Sequence, residues 1–353
     1  MSEDARDTTH IREATPADNG GLLRLTSLAP MGGQISLRID RHPDFFRLLN
    51  LRGPNKVFVA ERDGELIGSV SSASVPARVN GNLETVRYLG DLKVNPRDRG
   101  SRLTGRLVLR MYEYLRDAGA DIVYCTAADG NEAVMPVFEG RLGLPRFERV
   151  GIFLVFQIIP SRFRKTRKAG PVRQEKISPE LLRIYNDYFS RYRFGPVFRE
   201  DSFEGARHLA VRSQGKARAA LSLVDTNDAR QNVLIRLPLG LRVALSLLRA
   251  VPVVHLPRLN EPIRMLYIRA FGCEAGYQDA FHALIQKARN IAFEERYALL
   301  AVGLHERDPL IKLFARYPKF TFRSIGLVAS LKNRRQDIDE LLSGIAFEDY
   351  SLI

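Results

Sequence analysis

One segment of the chain, residues 94–107 (VNPRDRGSRLTGRL), joins an apolar run to an amphipathic pattern through a loop rich in arginine and glycine. The run before it, residues 88–94, predicts a strand that Asn95-Pro96 stops. Apolar residues then recur every four positions, which predicts a helix with one buried face that ends at Ala118-Gly119. These positions are Leu103, Leu107, Met111 and Leu115. Because the first N–H groups of a helix lack partners and its dipole favours anions, the loop is predicted to hold a phosphate group.

The length and composition of the chain indicate two globular domains without disulfides. Its 353 residues are long for one core, and its hydrophobic content of 45% is ordinary. The two cysteines, Cys125 and Cys273, lie far apart, which excludes a disulfide framework and a cysteine-rich zinc site. The six histidines show no metal-ligand spacing, so no metal is expected. Together with an N-terminus that carries no secretory signal, these features predict a cytoplasmic protein.

The net charge of +14, from 54 Lys plus Arg against 40 Asp plus Glu, bears on partners rather than on fold. The densest basic cluster, residues 161–168, lies in a stretch that looks like a linker. No zinc-finger spacing, basic zipper or RNP-like motif is present, so no specific nucleic-acid partner is expected. The charge indicates a solvated basic surface, or a field that attracts a polyanion such as a nucleotide cofactor.

The most apolar stretch, residues 233–254, is interrupted by arginines and prolines. It is too broken for a membrane span, and it predicts a strand followed by a short, basic amphipathic helix. Ordinary packing or a lid over a pocket accounts for such a pattern.

The order of predicted elements occurs twice along the chain. In the first half a short strand and two helices precede a hairpin at Asp63-Gly64, and a closing strand ends near residue 159. Residues 208–225 repeat the hairpin pattern with Gln214-Gly215 at the turn, and strand, helix and strand patterns follow again. The predicted units are a first domain, a basic linker, a second domain and a C-terminal tail, at residues 1–160, 161–178, 179–335 and 336–353.

The loop and its surroundings resemble the GCN5-related N-acetyltransferase (GNAT) family, over about residues 10–158 well and 180–332 weakly. The family's VxPxxRGxGxG/A segment is matched here at Val94, Pro96, Arg99 and Gly100, whereas Arg102 and Thr104 replace its later glycines. Arg102 either crowds a bound pyrophosphate or holds a phosphate with its guanidinium. The resemblance implies a mixed-sheet α/β fold of two tandem acyl-CoA N-acyltransferase-like domains, the second degenerate.

The resemblance also implies a set of residues that bind acetyl-CoA. The strand before the loop would pair with pantetheine and donate an N–H to the thioester carbonyl, the loop amides would hold the pyrophosphate, and an asparagine at the next helix would face the cofactor. In this order the residues are Leu92, Lys93 and Val94, then Arg99, Gly100, Ser101, Arg102, Leu103, Thr104 and Gly105, and finally Asn131. A plain N-cap role for Asn131 is compatible with the same position.

Two further positions bear on catalysis. Asp91 lies where the family often has an acid and is the candidate base, with Glu84 as a more remote candidate. A solvent-facing or capping role for Asp91 is the alternative. The family's usual tyrosine acid is replaced by Phe138, which cannot donate a proton, so water or Tyr124 would protonate the thiolate in part.

The second half has no glycine loop at the corresponding place, and Glu274 there would repel a pyrophosphate. It would complete the acceptor pocket, pack as a pseudo-dimer or hold a partner. The acceptor-side wall is expected from the loop at residues 27–46, with Met31, Gly32 and Gly33 giving it mobility.

The function indicated is direct acyl transfer, with acetyl as the expected group, from acetyl-CoA to an unidentified primary amine without a covalent enzyme intermediate. The alternative is a non-catalytic acyl-CoA sensor or protein-interaction module, which Phe138, Arg102 and Thr104 favour. A third hypothesis, binding to nucleic acid or an anionic surface, rests on the charge alone. Both a monomer and a homo-oligomer are compatible with the sequence.

Overall fold

Both halves of the chain contain strands and helices, as predicted for a mixed α/β protein. A computed structural model describes residues 9–28, 36–131, 135–140, 143–162, 170–240, 255 and 258–353. The predicted mobile segment at residues 31–33 and most of the predicted basic helix, residues 241–254, lie outside the described residues.

The first half begins with a strand and two helices that lead into a hairpin of long strands. Its elements are β1 (His10–Glu13), a 3-10 turn (Pro16–Asp18), α1 (Asn19–Ser27), β2 (Ser36–Asp40), α2 (Phe45–Arg52), β3 (Asn55–Arg62), β4 (Glu65–Val79), β5 (Asn82–Val94), a 3-10 turn (Pro96–Asp98), α3 (Leu103–Asp117), β6 (Ile122–Ala128), α4 (Met135–Phe138) and β7 (Glu148–Ile158). The helix predicted over residues 131–144 is described only as the short α4, because residues 132–134 and 141–142 lie outside the described ranges.

The second half follows a similar order. Its elements are β8 (Val172–Glu175), α5 (Pro179–Phe189), β9 (Phe194–Pro196), a 3-10 turn (Glu200–Phe203), β10 (Arg207–Ser213), β11 (Lys216–Val224), β12 (Gln231–Arg236), β13 (Pro262–Ile263), β14 (Met265–Cys273), α6 (Gln278–Glu294), β15 (Leu299–His305), α7 (Ile311–Phe314), β16 (Lys319–Ser330) and α8 (Arg335–Leu342). Several elements occur where the sequence predicted none. β2 forms within the predicted loop at residues 27–46, because it pairs with β12 of the second half, and β8 lies within the predicted linker. α8 begins at the last residue of the predicted second domain and continues into the predicted tail, and α5 and β9 were not predicted either.

The two predicted hairpins are confirmed, and each turns on a residue pair with positive φ. Asp63 and Gly64 have φ of 53° and 78° between β3 and β4, and Gln214 and Gly215 have φ of 52° and 77° between β10 and β11. Positive φ at both central residues is the geometry that matches the twist of the flanking strands.

The strands form one long mixed sheet in the order β1-β3-β4-β5-β6-β16-β7-β15-β14-β11-β10-β8. The last strand of each half lies beside a strand of the other half, since β16 pairs with β6 and β7 pairs with β15. The two halves are therefore joined through exchanged strands. The division at residues 161–178 stays a prediction.

Both faces of the sheet are covered in the first half. The four apolar residues predicted for the buried face of α3 are all buried, and the helix ends at Ala118 with Gly119 at φ 67°, as predicted. On the opposite face, α8 and the C-terminal residues pack on Tyr88, Tyr124 and Phe153. A small separate sheet, β13-β12-β2, joins a strand of the first half to two strands of the second.

The described part of the chain has neither a membrane-spanning helix nor a metal-binding cluster. No helix there has the length and apolar character needed to cross a membrane. No group of three or more His, Cys, Asp and Glu side chains there is arranged to hold a metal ion. Cys125 and Cys273 are both free thiols.

Candidate active site

A wedge opens between β5 and β6 at the centre of the first-half sheet. The two parallel strands pair only at Arg87 with Val123 and at Tyr88 with Tyr124. Beyond these rungs residues 89–94 stay paired with β4, and residues 125–128 with β16, on the outer sides of the wedge. This splaying leaves backbone N–H and C=O groups along one edge of β5 open to a ligand.

A β-bulge turns the chain at the position of the candidate base. Between the rungs Ser69–Lys93 and Ser71–Gly90, β5 has two residues where β4 has one. Asp91, one of these two residues, has φ of 51°, and its carbonyl accepts a hydrogen bond from Ser69 Oγ at 2.9 Å. Bulges of this kind re-aim a side chain next to functional sites.

The carboxylate of Asp91 does not face solvent. Asp91 Oδ1 lies 2.8 Å from Arg41 Nη2, with the two side chains 5% and 8% exposed, and Ser71 Oγ donates to Oδ2 at 2.8 Å. Burial opposes ionisation, yet the charges of Arg41 and Lys93 and the bond from Ser71 together hold the pKa of Asp91 below its usual value. Asp91 is therefore an ionised carboxylate at neutral pH.

The neighbours of Asp91 on β5 point to different faces. Leu92 and Val94 pack into the apolar cluster beneath α3. Because side chains alternate along a strand, Lys93 faces the opposite side of the sheet. Lys93 is partly buried, and burial lowers its pKa. Within the described ranges its ammonium has neither an ion pair nor a hydrogen bond.

The predicted phosphate loop connects β5 to α3 with open backbone donors. Gly100 has φ of 80°, and a Cβ placed there would meet no atom within 4 Å. Ser101 Oγ donates to Asp98 O at 2.7 Å and accepts from Leu103 N at 3.2 Å, which orders the entry into the helix. The N–H groups of Gly100 and Arg102 make no hydrogen bond to any described residue.

The loop is also basic. Arg97, Arg99 and Arg102 are exposed, and none of them forms an ion pair with a described residue. Thr104 and Gly105 lie in the first turn of α3, where N–H groups lack intrahelical acceptors. An anion at this helix end would meet guanidinium groups, backbone donors and the positive end of the helix dipole.

The closed end of the wedge is filled by aromatic and charged side chains. The rings of Tyr88 and Tyr124 lie 5.3 Å apart, and the Arg52 guanidinium stands 3.5 Å from the Tyr88 ring centroid. Arg52 donates to Tyr124 Oη at 3.3 Å, to Glu348 Oε1 at 3.0 Å and to Leu352 O at 2.8 Å. Burial raises the pKa of Tyr124 well above its usual value, so its hydroxyl keeps its proton at neutral pH.

Glu348 is a buried acid that the sequence analysis missed. Burial raises its pKa to about 7, although Arg52 opposes the shift. Its Oε2 has no hydrogen-bond partner among the described residues, and it lines a small cavity together with Tyr124, Cys125 and Thr126 of β6. Neither Glu348 nor Arg41 carries a local sequence signal, because each reaches the site from a segment predicted to be a tail or a loop.

Other candidates from the sequence lie in structural settings. Glu84 pairs with Arg334 at 2.7 Å, and Cys125 is buried, which raises the pKa of its thiol. Phe138 packs its ring 5.1 Å from that of Phe147. Asn131 is exposed after β6, and its N–H donates to Ala128 O at 3.0 Å.

The corresponding loop of the second half is built differently. Glu274 lies there and pairs with Arg218 at 2.6 Å. A Cβ on Gly272 of β14 would lie 2.6 Å from Ile184, because α5 packs closely against that strand. The second half therefore has an acidic side chain where the first half has its basic loop.

Comparisons with known proteins bear on this arrangement of a splayed strand beside a helix-opening loop. The acetyltransferase (GNAT) domain family matches residues 10–133. The chain is 23% identical over 184 residues to the probable N-acetyltransferase HLS1 of Arabidopsis thaliana, a match that covers 49% of this chain and 44% of that protein. The chain thus spans less than half the length of this curated relative.

Solved structures show the same fold over most of the chain. N-myristoyltransferase of Saccharomyces cerevisiae with bound myristoyl-CoA has a TM-score of 0.63 at 12% identity, covering 92% of this chain and 83% of that one. A conserved protein from Enterococcus faecalis V583, described as a probable N-acyltransferase, has a TM-score of 0.52 at 12% identity, covering 90% and 72%. The predicted mixed α/β fold class is confirmed, and the match to the acetyltransferase (GNAT) domain family covers the part of the chain that contains the wedge and the basic loop.

Proposed function

We propose that the protein transfers a short acyl group, with acetyl as the expected one, from acyl-CoA to a primary amine. The observation that carries this proposal is the wedge between β5 and β6, which has the basic loop at Gly100 near its open end and Asp91 beside it. Pantetheine would pair with the open edge of β5 at residues 92–94, and the loop would hold the pyrophosphate.

In the proposed reaction the amine nitrogen attacks the thioester carbonyl carbon directly. A C–N bond forms, the carbonyl oxygen becomes an oxyanion near the β5 amides, and the C–S bond then breaks to release CoA thiolate. Before the attack the acceptor ammonium gives one proton to Asp91, directly or through water, and from there to solvent. The second nitrogen proton leaves as the tetrahedral intermediate collapses and passes to the departing thiolate or to water. The thiolate leaves without an obligatory acid, because a thiol has a pKa of about 8.5, and the protonated Tyr124 hydroxyl supplies a proton in part.

The preference for a short acyl group is supported by the closed end of the wedge. Tyr88 and Tyr124 pack edge to face at the last paired rung, and Arg52 covers the Tyr88 ring. A long chain extending past the thioester would have to displace these buried rings.

We expect acetyl-CoA to be used with a higher kcat/KM than octanoyl-CoA, and octanoyl-CoA with a higher one than myristoyl-CoA. The physical reason is that each added methylene meets the Tyr88–Tyr124 pair rather than open space. Thiol release measured with the three donors at one acceptor concentration checks this order. An equal or rising kcat/KM with chain length would contradict the short-acyl proposal.

The experiment that tests the proposed site is thermal unfolding with and without acetyl-CoA. At 100 times its dissociation constant the ligand should add about 2.7 kcal/mol to the free energy of unfolding. We expect Gly100→Val to abolish this stabilisation, since a β-branched residue at φ of 80° must change the loop that is proposed to hold the pyrophosphate.

Gly215→Val is the matched control. Gly215 has φ of 77° and equally open surroundings, but it lies in the turn between β10 and β11 of the second half. Both variants should lose similar intrinsic stability, and only Gly215→Val should still respond to acetyl-CoA. If Gly100→Val is stabilised as much as Gly215→Val, the ligand does not bind at this loop.

A non-catalytic acyl-CoA-binding role is the second candidate, and one observation favours it. Phe138, at the position of the family's usual acid, packs on Phe147 and offers no proton. Stabilisation by acetyl-CoA without thiol release in the presence of any amine would identify this role.

A further inference from the structure

Arg41, Lys93 and Arg230 form a cationic cluster beside the carboxylate of Asp91 on β5. Arg41 contacts Asp91 directly, and the charges of Arg41 and Arg230 both act on Lys93 and lower its pKa, in addition to burial. The carboxylate of Asp91 opposes this shift only in part. Among the described residues no second carboxylate pairs with any of these three cations, so the site has an excess of positive charge.

The cluster also contains hydrogen-bond donors without acceptors. Arg41 is 7% exposed, and its Nε is buried without a partner among the described residues. Arg230 donates to Tyr350 O at 3.3 Å and to Asn232 Oδ1 at 3.1 Å, both neutral acceptors, and its buried Nε likewise has no partner there. Buried donors are normally satisfied, so these atoms indicate a missing acceptor.

Both halves of the chain build the cluster. Arg230 precedes β12 of the second half, β12 pairs with β2 of the first half, and Arg41 directly follows β2. Gln231 pairs with Asp40 across the small sheet, so Arg230 and Arg41 lie next to each other at its end, and the positive charge of Arg230 acts on Lys93 of β5. This arrangement gives the second half a direct role at the reaction centre.

The cluster is separate from the loop that is proposed to hold the CoA phosphates. Leu92 and Val94 pack towards α3, whose N-terminus follows that loop, whereas Lys93 faces the other side of the sheet. The phosphate loop has its own unpaired arginines. An anion at Lys93 and Arg230 would thus come from the acceptor side.

We propose that the acceptor is an amine that carries a carboxylate, as a free amino acid does. Lys93 and Arg230 bind the carboxylate through charge-assisted hydrogen bonds, and Asp91 holds the ammonium of the same molecule next to the thioester. This proposal rests on the acyltransferase function proposed above. It assigns Lys93 and Arg230 to substrate recognition rather than to the chemical step.

The test compares amino acids with their carboxamides as acceptors of acetyl-CoA, as matched pairs that differ in one charge. Thiol release is measured for each pair. We expect the acid to have a kcat/KM at least about 10-fold above its amide, the size of one charge-assisted hydrogen bond. Lys93→Met keeps the backbone groups of residue 93 that are proposed to pair with pantetheine and removes only the side-chain charge. Lys93→Met and Arg230→Gln should therefore remove this preference without raising KM for acetyl-CoA, and Lys93→Arg should restore part of it.

Lys287→Met is the control, because Lys287 is exposed on α6 and lies outside the cluster. It should leave the preference for acids unchanged. Amides used as well as acids, or an acid preference that survives both Lys93→Met and Arg230→Gln, would overturn the proposal. A raised KM for acetyl-CoA in these variants would assign the cluster to CoA instead and would also overturn it.

A binding measurement separates this proposal from the proposed function. Thermal unfolding is followed with CoA plus an N-acetyl amino acid or its amide, as product-side probes that require no turnover. Stabilisation by the acid alone, lost in Lys93→Met, supports the proposal even in the absence of catalysis. If acetyl-CoA stabilises the protein but amino acids are neither acetylated nor bound as their N-acetyl products, the carboxylate site does not exist. If acetyl-CoA itself does not stabilise the protein, the proposed function is overturned.

Discussion

Replacing Asp91 by asparagine is expected to lower kcat by about 10²–10⁴-fold, the usual contribution of a positioned general base. Asparagine still accepts a hydrogen bond from Ser71, but it removes the negative charge that faces Arg41 and Lys93. The acceptor ammonium then loses both its counter-charge and its proton acceptor. Thiol release with an amine that the wild-type protein acetylates measures kcat. Thermal unfolding with acetyl-CoA should show that the variant still binds the acyl donor as the wild-type protein does.

Glu84→Gln provides the control for Asp91→Asn. Glu84 is the other acid of β5 that the sequence offered, but it pairs with Arg334 next to α8. We expect Glu84→Gln to keep the kcat of the wild-type protein. If Asp91→Asn also keeps it, Asp91 is not the base.

The lowered pKa of Asp91 fixes the direction of its pH dependence. A carboxyl group whose pKa is lower in the folded than in the unfolded protein stabilises the fold above the unfolded value, about 3.9, and loses that contribution as pH falls towards the folded value. Asp91 therefore stays ionised throughout the neutral range. A fall in kcat between pH 8 and pH 5 must then come from protonation of the acceptor amine or of another group.

The parts of the fold that local chemistry dictates were predictable. The fourfold spacing of apolar residues and the glycine after Ala118 gave the limits of α3, because a helix buries one stripe and ends where positive φ is tolerated. The two hairpins followed from paired turn residues in the same way. The loop at Gly100 could be recognised because its phosphate-binding chemistry depends on contiguous residues.

The rest of the site depends on pairing between distant segments. Arg41 reaches Asp91 across 50 residues of sequence, and Glu348 reaches Arg52 across 296. The exchange of β7 and β16 depends on which strands become neighbours in the sheet, and apolar alternation along a single strand does not specify this. Periodicity therefore identified the long strands but neither their neighbours nor the short strands β2, β8 and β9, and the predicted tail at residues 336–353 begins with most of the helix α8.

Replacing Arg52 by methionine is expected to lower the free energy of unfolding by about 3–5 kcal/mol, the cost of breaking a buried ion pair from one side. The side chains of Arg52 and Glu348 are only 3% and 2% exposed, so water cannot take the place of the lost partner. Chemical denaturation at pH 8 measures the loss. Arg183→Met removes an exposed pair with Asp187 on α5 and should cost about 0–1 kcal/mol.

The free energy of unfolding lost in Arg52→Met should become smaller as pH falls, and the protonation of Glu348 gives the direction of this change. The pKa of Glu348 in the folded protein is about 7, above its ordinary value of 4.5. Between pH 4.5 and pH 7 the folded protein therefore binds more protons than the unfolded one. As pH rises through this range, Glu348 lowers the free energy of unfolding. Arg52 supplies the positive charge that opposes the raised pKa of Glu348. The free energy of unfolding lost in Arg52→Met is therefore largest above pH 7, where Glu348 is ionised. It is small near pH 5, where a neutral Glu348 needs no counter-charge. Adding Glu348→Gln to Arg52→Met should recover much of the stability at pH 8 and none at pH 5. A loss that is equal at both pH values, or a double variant no more stable than Arg52→Met, would mean that packing of the Arg52 side chain on Tyr88, rather than its charge, stabilises this end of the wedge.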